Sequence, residues 1–245
     1  MRVVHVAAFL LGSTYGAALF GASPQVVLVE SNTWLMVVGS DSPTFAMYED
    51  GIAIYRSSQP SPSGYVSAKL TAEESRALLL KITPVATEHL NNSYTLTEAT
   101  DQPTNKLQVW NQGRRTVVVV YGNLREALGA RAKAPPSLVA ALDAISSFSV
   151  LAQRPWLPEH IEVLLWPYEY SPEVPVAWPP EWPPISKAKA RGTNGLVQLL
   201  LPGTELQNLQ KFIGNLRPKQ AVSFGSSKWA ISYRIPLPEE EKWSH

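Results

Sequence analysis

Apolar positions recur along the chain at two spacings, every second residue and every third or fourth, and they divide it into short strands and a few helices. Gln25–Glu30 (QVVLVE) and Thr33–Val38 (TWLMVV) are β-branched and apolar on either side of the turn-prone Ser31 and Asn32, which predicts two strands. TFAMY-ED-GIAIYR reads as a hairpin in which Asp50-Gly51 supplies the positive-φ positions of a type I′ turn. Tyr65–Leu70 is a further strand. Thr71 followed by Glu74 forms a capping box that opens a helix to about Ile82, with Leu78, Leu79 and Ile82 facing inward, and Pro84 ends it.

A short helical piece near Val85–Asn91, a strand near Tyr94–Thr97 and a turn at Thr100–Thr104 follow. Lys106–Trp110 and Thr116–Tyr121 then pair across Asn111–Arg114, and VVVVY at 117–121 is apolar on both faces, as in the middle of a sheet. Pro135 and Pro136 start a helix with Leu138, Ala141, Leu142, Ile145 and Phe148 at helical spacing. Ile161–Trp166 and Leu196–Leu201 read as strands. Thr204–Gln207 reads as a second capping box, opening a helix with Leu206, Leu209 and Ile213 inward. A closing hairpin pairs Gln220–Phe224 with Lys228–Ile235, where Trp229, Ile231, Tyr233 and Ile235 alternate onto one face, and Glu239–Glu241 form an exposed acidic tail.

These elements predict an α+β fold with mainly antiparallel sheets and three to four packed helices. Strand, capping-box helix and hairpin occur twice, at 65–121 and at 196–235. That repetition suggests one domain over 24–245 built from two related lobes, 24–130 and 150–245, joined by the helix 136–148.

Length agrees with this picture, since 245 residues can bury a substantial core. The 21 Lys plus Arg against 20 Asp plus Glu leave a net charge of +1, so no whole-protein field steers the chain to nucleic acid or an anionic membrane. Cysteine is absent, which excludes disulfides, thiol catalysis and thiolate metal sites. The first 23 residues, with Arg2, an apolar run and then small residues, have the plan of a secretory signal peptide. Gly21 and Ser23, or Gly16 and Ala18, have the right size for the recognition positions at a cleavage point. Export to the periplasm or secretion is therefore expected, with no membrane span once the leader is removed.

The candidate chemistry lies in Pro155–Pro184, which holds four of the eight tryptophans and nine of the 21 prolines. Trp178 and Trp182 sit in WPPEWPP, where polyproline geometry would place the two indoles roughly 12 Å apart, as platforms for an extended glycan or peptide. Trp156 and Trp166 flank them. The competing expectation is that these rings pack on prolines and the sheet. Glu159, Glu162, Glu169, Glu173 and Glu181 crowd the same region, and two carboxylates across a groove are the minimal equipment of a glycoside hydrolase. His160 between Glu159 and Glu162 adds an acid/base candidate, but EHIE offers no pair of metal ligands on one helix face, and His89 stands alone. Ser146, Ser147, Ser226 and Ser227 lack a nucleophile elbow, and no phosphate loop or dinucleotide fingerprint exists, so no cofactor is called for. Asn91-Asn92-Ser93 is a formal glycosylation sequon, and Lys187, Lys189 and Arg191 make a small basic patch with no aromatic residue between them.

DGIAIYR, LTAEESRALLLKI, TDQPT, WLPEHIEVLLWPYEY, WPPEWPP and SSKWAISYR together resemble a group of exported bacterial proteins that contain a domain of unknown function. The resemblance covers most of the chain after the leader. It implies an envelope or secreted location and carries over no functional residues. Three readings stay open: a non-catalytic binding protein using the Trp/Pro surface, with a glycan or an envelope protein as partner; a carbohydrate-acting hydrolase using Glu159, Glu162 or Glu169; and a purely structural module.

Overall fold

The computed structural model of the protein describes residues 21–31, 37, 39–58, 60–191 and 195–243. The expected leader as far as residue 20 and most of the strand expected over 33–38 lie outside the described residues. In chain order the first part contains β1 (Pro24–Ser31), β2 (Pro43–Tyr48), β3 (Ile52–Arg56), β4 (Tyr65–Lys69), α1 (Ala72–Ile82), α2 (Pro84–Thr87), β5 (Ser93–Thr95), β6 (Thr104–Asn111), β7 (Arg114–Tyr121), α3 (Leu128–Lys133) and α4 (Pro136–Ser146). The second contains β8 (Gln153–Pro155), β9 (His160–Pro167), β10 (Val176–Ala177), β11 (Lys189–Ala190), β12 (Val197–Pro202), α5 (Leu206–Gly214), β13 (Val222–Phe224), β14 (Ser227–Arg234) and α6 (Glu240–Trp243).

Among the described residues the strands form two sheets, one of eight in the order β5-β7-β6-β1-β2-β3-β4-β8 and one of six in the order β10-β13-β14-β9-β12-β11. Both are antiparallel except for the short edge pairs β5/β7 and β10/β13. The protein is thus α+β, with two mainly antiparallel sheets and helices packed on them.

Period-two alternation assigns each face of the large sheet. Val26 and Leu28 of β1, Phe45 and Met47 of β2, and Val118 and Val120 of β7 point to one side, where Leu78 and Ile82 of α1 and Leu138, Ala141 and Ile145 of α4 close the core. Val27, Ala46, Ile54 and Tyr65 point to the other side and share a second core with Ile161, Val163 and Leu165 of β9, Leu199 and Leu201 of β12, and Ile231 of β14. The large sheet is therefore a middle layer between helices and the small sheet. This explains why VVLV in β1 is apolar at every position.

Several local expectations meet a different answer. The Asp50 hairpin is a three-residue loop in which Gly51 N–H donates to the Tyr48 carbonyl at 2.9 Å, and only Gly51, at φ 79°, is left-handed. The type I′ turn is instead at Gln112 and Gly113, with φ of 50° and 75°. VVVVY is buried on one face only, with Val118 and Val120 in the core and Val117 and Val119 half-buried; among the described residues these two are not part of the core shared with the small sheet. The capping box at Thr71 forms as read, with Glu74 N–H donating to Thr71 Oγ1 at 3.1 Å and Thr71 N–H to Glu74 at 2.8 Å. The second box does not form. Residues Gly203–Glu205 make a 3₁₀ turn, α5 starts at Leu206, and neither start carries a side-chain cap, so Thr204 and Gln207 are not paired as a box; the Glu205 carboxylate accepts from Trp182 and Asn208.

The two strand–helix–hairpin units match in order only. The β6–β7 hairpin joins the large sheet three strands away from β4, across β1, β2 and β3, whereas β12 and β14 flank β9 directly. Strand β8 pairs with β4 of the large sheet, and α4 packs against α1. Residues 153–155 and 136–146 thus complete the first sheet and its helical layer.

The acidic tail is a built element rather than a solvated one. Glu240 is buried and pairs with Arg234, Leu237 N–H donates to Glu240 Oε2 at 3.0 Å, and the Trp243 ring meets Trp110 of β6 edge-on at 6.5 Å. Tyr48 Oη also donates to the Pro238 carbonyl at 2.9 Å, so the C-terminal strap ties β14 of the small sheet to β2 and β6 of the large one.

Candidate functional site

The tryptophans of the Pro155–Pro184 stretch are dispersed by the fold. Trp178 and Trp182 are only 7% and 6% exposed, and their ring centroids lie 5.3 Å apart at 67°. The expected separation of about 12 Å fails because the backbone does not stay extended: Trp182 N–H turns back to the Pro179 carbonyl at 3.2 Å. Trp178 Nε1 donates to the Pro183 carbonyl at 3.1 Å and Trp182 Nε1 to Glu205 at 3.1 Å, while the Trp182 ring packs edge-on against Phe212 of α5 at 5.3 Å. These rings fill core, and their polar edges are satisfied within the protein. Trp156 packs against Tyr65 at 6.0 Å, and Trp166 lies half-buried on the outer face of the small sheet near Leu164.

The carboxylates of the same stretch do not converge on a reaction centre. Glu162 of β9 accepts from Arg234 at 2.9 Å and from Arg191 at 3.1 Å, with its side chain 13% exposed. Arg234, 7% exposed, also donates to the Asp41 carbonyl at 3.0 Å and pairs with Glu240. Glu162 is therefore one member of a buried ionic network that ties β9 and β14 to the C-terminal strap. Burial pushes the Glu240 carboxyl above its ordinary range, with Arg234 and the Leu237 N–H pulling the other way. Glu159 is exposed and contributes its backbone carbonyl to Gly203 N–H at 2.8 Å. Glu169 is exposed and accepts from Lys228 N–H at 3.3 Å. His160 is the half-buried first residue of β9, and His89 is exposed. Among the described residues no three His, Asp or Glu side chains group in a way that could hold a metal ion.

A cleft that sequence reasoning did not find lies on the helical side of the large sheet. About 650 Å³ in volume, it runs between the ends of β1, β2 and β3, the loop after β7 and the C-terminal end of α4. Half-buried Phe148 gives it an apolar edge, backed by the buried Phe45 and Tyr55, with ring centroids 5.0 to 6.3 Å apart and Phe148 edge-on to both of the others. Its polar side carries Glu30, Asn105 and Arg125. Arg125 grips Glu30 through Nε and Nη2, both at 2.7 Å. Glu30 is 18% exposed and Arg125 55%. Burial raises the Glu30 carboxyl, but hydrogen bonds from Arg125 and Thr44 and the charges of Arg125 and Arg56 outweigh it, holding the group below the usual carboxylate range. Asn105, itself buried, donates to the Gly122 carbonyl at 3.2 Å.

A second cavity of about 370 Å³ shares Glu30, Asn105, Leu124, Arg125 and Ser146 with the first. The Glu30–Arg125 pair stands at the boundary between the two. Neither cavity is lined by Glu159, Glu162, Glu169, His160 or any tryptophan. The signal for this site is weak in sequence: Glu30 and Arg125 are 95 residues apart, and each alone reads as an ordinary strand-end or loop charge.

Comparison with protein-family models, with curated proteins and with solved structures yields no match to the chain.

Proposed function

We propose that the protein is a non-catalytic binding protein of the cell envelope or of the secreted fraction, and that it binds through the cleft beside Glu30 and Arg125. The observation that carries this reading is the cleft: a half-buried aromatic ring, Phe148, beside a small set of polar groups, Glu30, Asn105 and Arg125, the mixed composition of a ligand site. The binding surface expected at the Trp/Pro stretch moves here because Trp178 and Trp182 are sealed in the core. Location rests on the leader-like order of charge, apolar run and small residues at the N-terminus and on the resemblance to exported bacterial proteins. No helix of the described residues is long and apolar enough to cross a membrane. Candidate partners are a glycan or an envelope protein segment small enough to enter the cleft.

Thermal-shift screening of envelope extracts, glycans and small metabolites against wild type and Ser146→Trp tests the reading. Ser146 is exposed and lines both cavities, so an indole there obstructs the cleft without entering the core. Stabilising ligands should lose their effect on a variant that melts like wild type. A folded Ser146→Trp variant that binds everything wild type binds would remove the cleft from consideration. Release of reducing sugar from envelope glycans by the wild type would restore the hydrolase reading.

A further inference from the structure

The Glu30–Arg125 pair is asymmetric in a way that identifies what the cleft takes. Glu30 lies on β1, an inner strand of the eight-stranded sheet, and is the shielded member at 18% exposure. Arg125 is the open member at 55% and sits in the connection between β7 and α3. The fixed group is a carboxylate and the group that can swing away is a guanidinium. We propose that the cleft is a site for a small organic cation whose guanidinium or ammonium head replaces Arg125 on Glu30. In this view Arg125 is a tethered occupant of the ligand's position. The inference rests on the cleft being the binding surface.

Charge around the pair favours this class. A cation arriving at Glu30 exchanges one charge-assisted fork for another. An anion arriving at Arg125 would meet both Glu30 and the neighbouring Glu126, whose charges already act on that guanidinium. The second cation of the cleft, Arg56, is held elsewhere: its Nε donates to Tyr65 Oη at 3.1 Å and its guanidinium lies 5.6 Å from the Tyr65 ring centroid. It therefore does not compete for Glu30 at contact distance, although its charge reaches Glu30 and weakens the attraction for an incoming cation. Arg125 is one of the five residues that line both the larger cavity of about 650 Å³ and the smaller of about 370 Å³, so its departure frees wall that the two have in common. The body of the ligand then lies along Phe148, whose ring borders the larger cavity, with the apolar stem covered and the charged head at Glu30.

Isothermal titration with agmatine and argininamide, with N-acetylglutamate as an anionic control, decides the matter. Wild type should bind the two cations weakly, because a tethered competitor already occupies the site. Arg125→Ala should bind them roughly fivefold more tightly, the most that loss of an exposed ion pair provides. Glu30→Gln should abolish binding, and Ser146→Trp should reduce it. If Glu30→Gln loses its cooperative melting, the Arg125→Ala gain decides alone. Unchanged or weaker cation binding in Arg125→Ala overturns the inference. Binding of neutral or anionic compounds that is lost in Ser146→Trp, with no response to cations, overturns it while leaving the cleft as the binding surface. Absence of any ligand sensitive to Ser146→Trp removes both.

Discussion

Replacing Arg234 with methionine should be the most informative single perturbation of the fold. Arg234 lies at the end of β14, 7% exposed, and connects Glu162, Glu240 and the Asp41 carbonyl. Methionine keeps much of the side-chain volume, so the loss is chiefly electrostatic. Two carboxylates with 13% and 11% exposure would be left with fewer counter-charges. Breaking a buried pair in this way costs about 3 to 5 kcal/mol. Glu162 retains Arg191 at 3.1 Å and Glu240 retains the Leu237 N–H at 3.0 Å, which places the expected loss near the lower end, about 3 kcal/mol.

The loss should also depend on pH. Burial already raises the Glu240 carboxyl in the wild type, and removal of Arg234 takes away its main opposing charge, so the folded-state value rises further. The folded variant then binds a proton more tightly than the unfolded chain. Its stability therefore falls as pH rises from the ordinary carboxyl value of 4.5 through the raised one, and the deficit should be smaller at pH 5 than at pH 7.5. Urea unfolding followed by tryptophan fluorescence at both pH values measures this. A deficit under about 1 kcal/mol at pH 7.5, the level of an exposed pair, would refute the network as described, and so would an equal deficit at both pH values.

Other expectations follow from single contacts. Trp182→Ala should cost about 3 to 5 kcal/mol, whereas Trp182→Phe, which keeps most of the packing and loses the Glu205 bond, should cost about 1 to 2 kcal/mol; equal losses in urea melts would contradict the core placement of this ring. Gly203→Ala should destabilise by about 3 kcal/mol or more, because a Cβ there would stand 1.8 Å from the Pro158 carbonyl oxygen, and a normally soluble variant with wild-type melting would show that this approach is not fixed. Thr71→Ala removes one half of the α1 capping box and should cost about 1 kcal/mol in chemical denaturation. Glu30 titrates below the usual range in the folded protein, so it contributes stability above the unfolded value that is lost as pH falls through the folded one; Glu30→Gln should flatten that part of the acid limb, and an unchanged acid limb would rule out this contribution.

Local order was legible wherever a short-range cause decides it. The Thr71 box, the Pro136 helix start and the alternation in β14 each depend on residues close together in the chain. The same kind of signal failed where a distant partner competed. Thr204–Gln207 has the form of a capping box, but residues 203–205 wind into a 3₁₀ turn and the helix begins at Leu206, while Trp182, 23 residues from Glu205, takes that carboxylate. Glu240 has the form of a solvated tail, but Arg234 and Leu237 bury it. Of the two expectations for the Trp/Pro stretch, an extended platform and rings packed on prolines and the sheet, the second holds: a turn at Pro179–Trp182 brings the indoles together and inward.

By itself the sequence determined the α+β class, the positions of most strands and helices, the absence of thiol chemistry and the leader-like N-terminus. These follow from composition and from periods of two and 3.6, which any local window contains. Only the tertiary structure decided which face of each apolar strand meets helices and which meets the second sheet, that the candidate acids belong to an ionic network, and that Glu30 and Arg125 share a cleft. Those outcomes depend on pairings across 72 residues for Glu162 and Arg234 and 95 for Glu30 and Arg125. At such separations sheet order and burial, rather than spacing along the chain, select the partner.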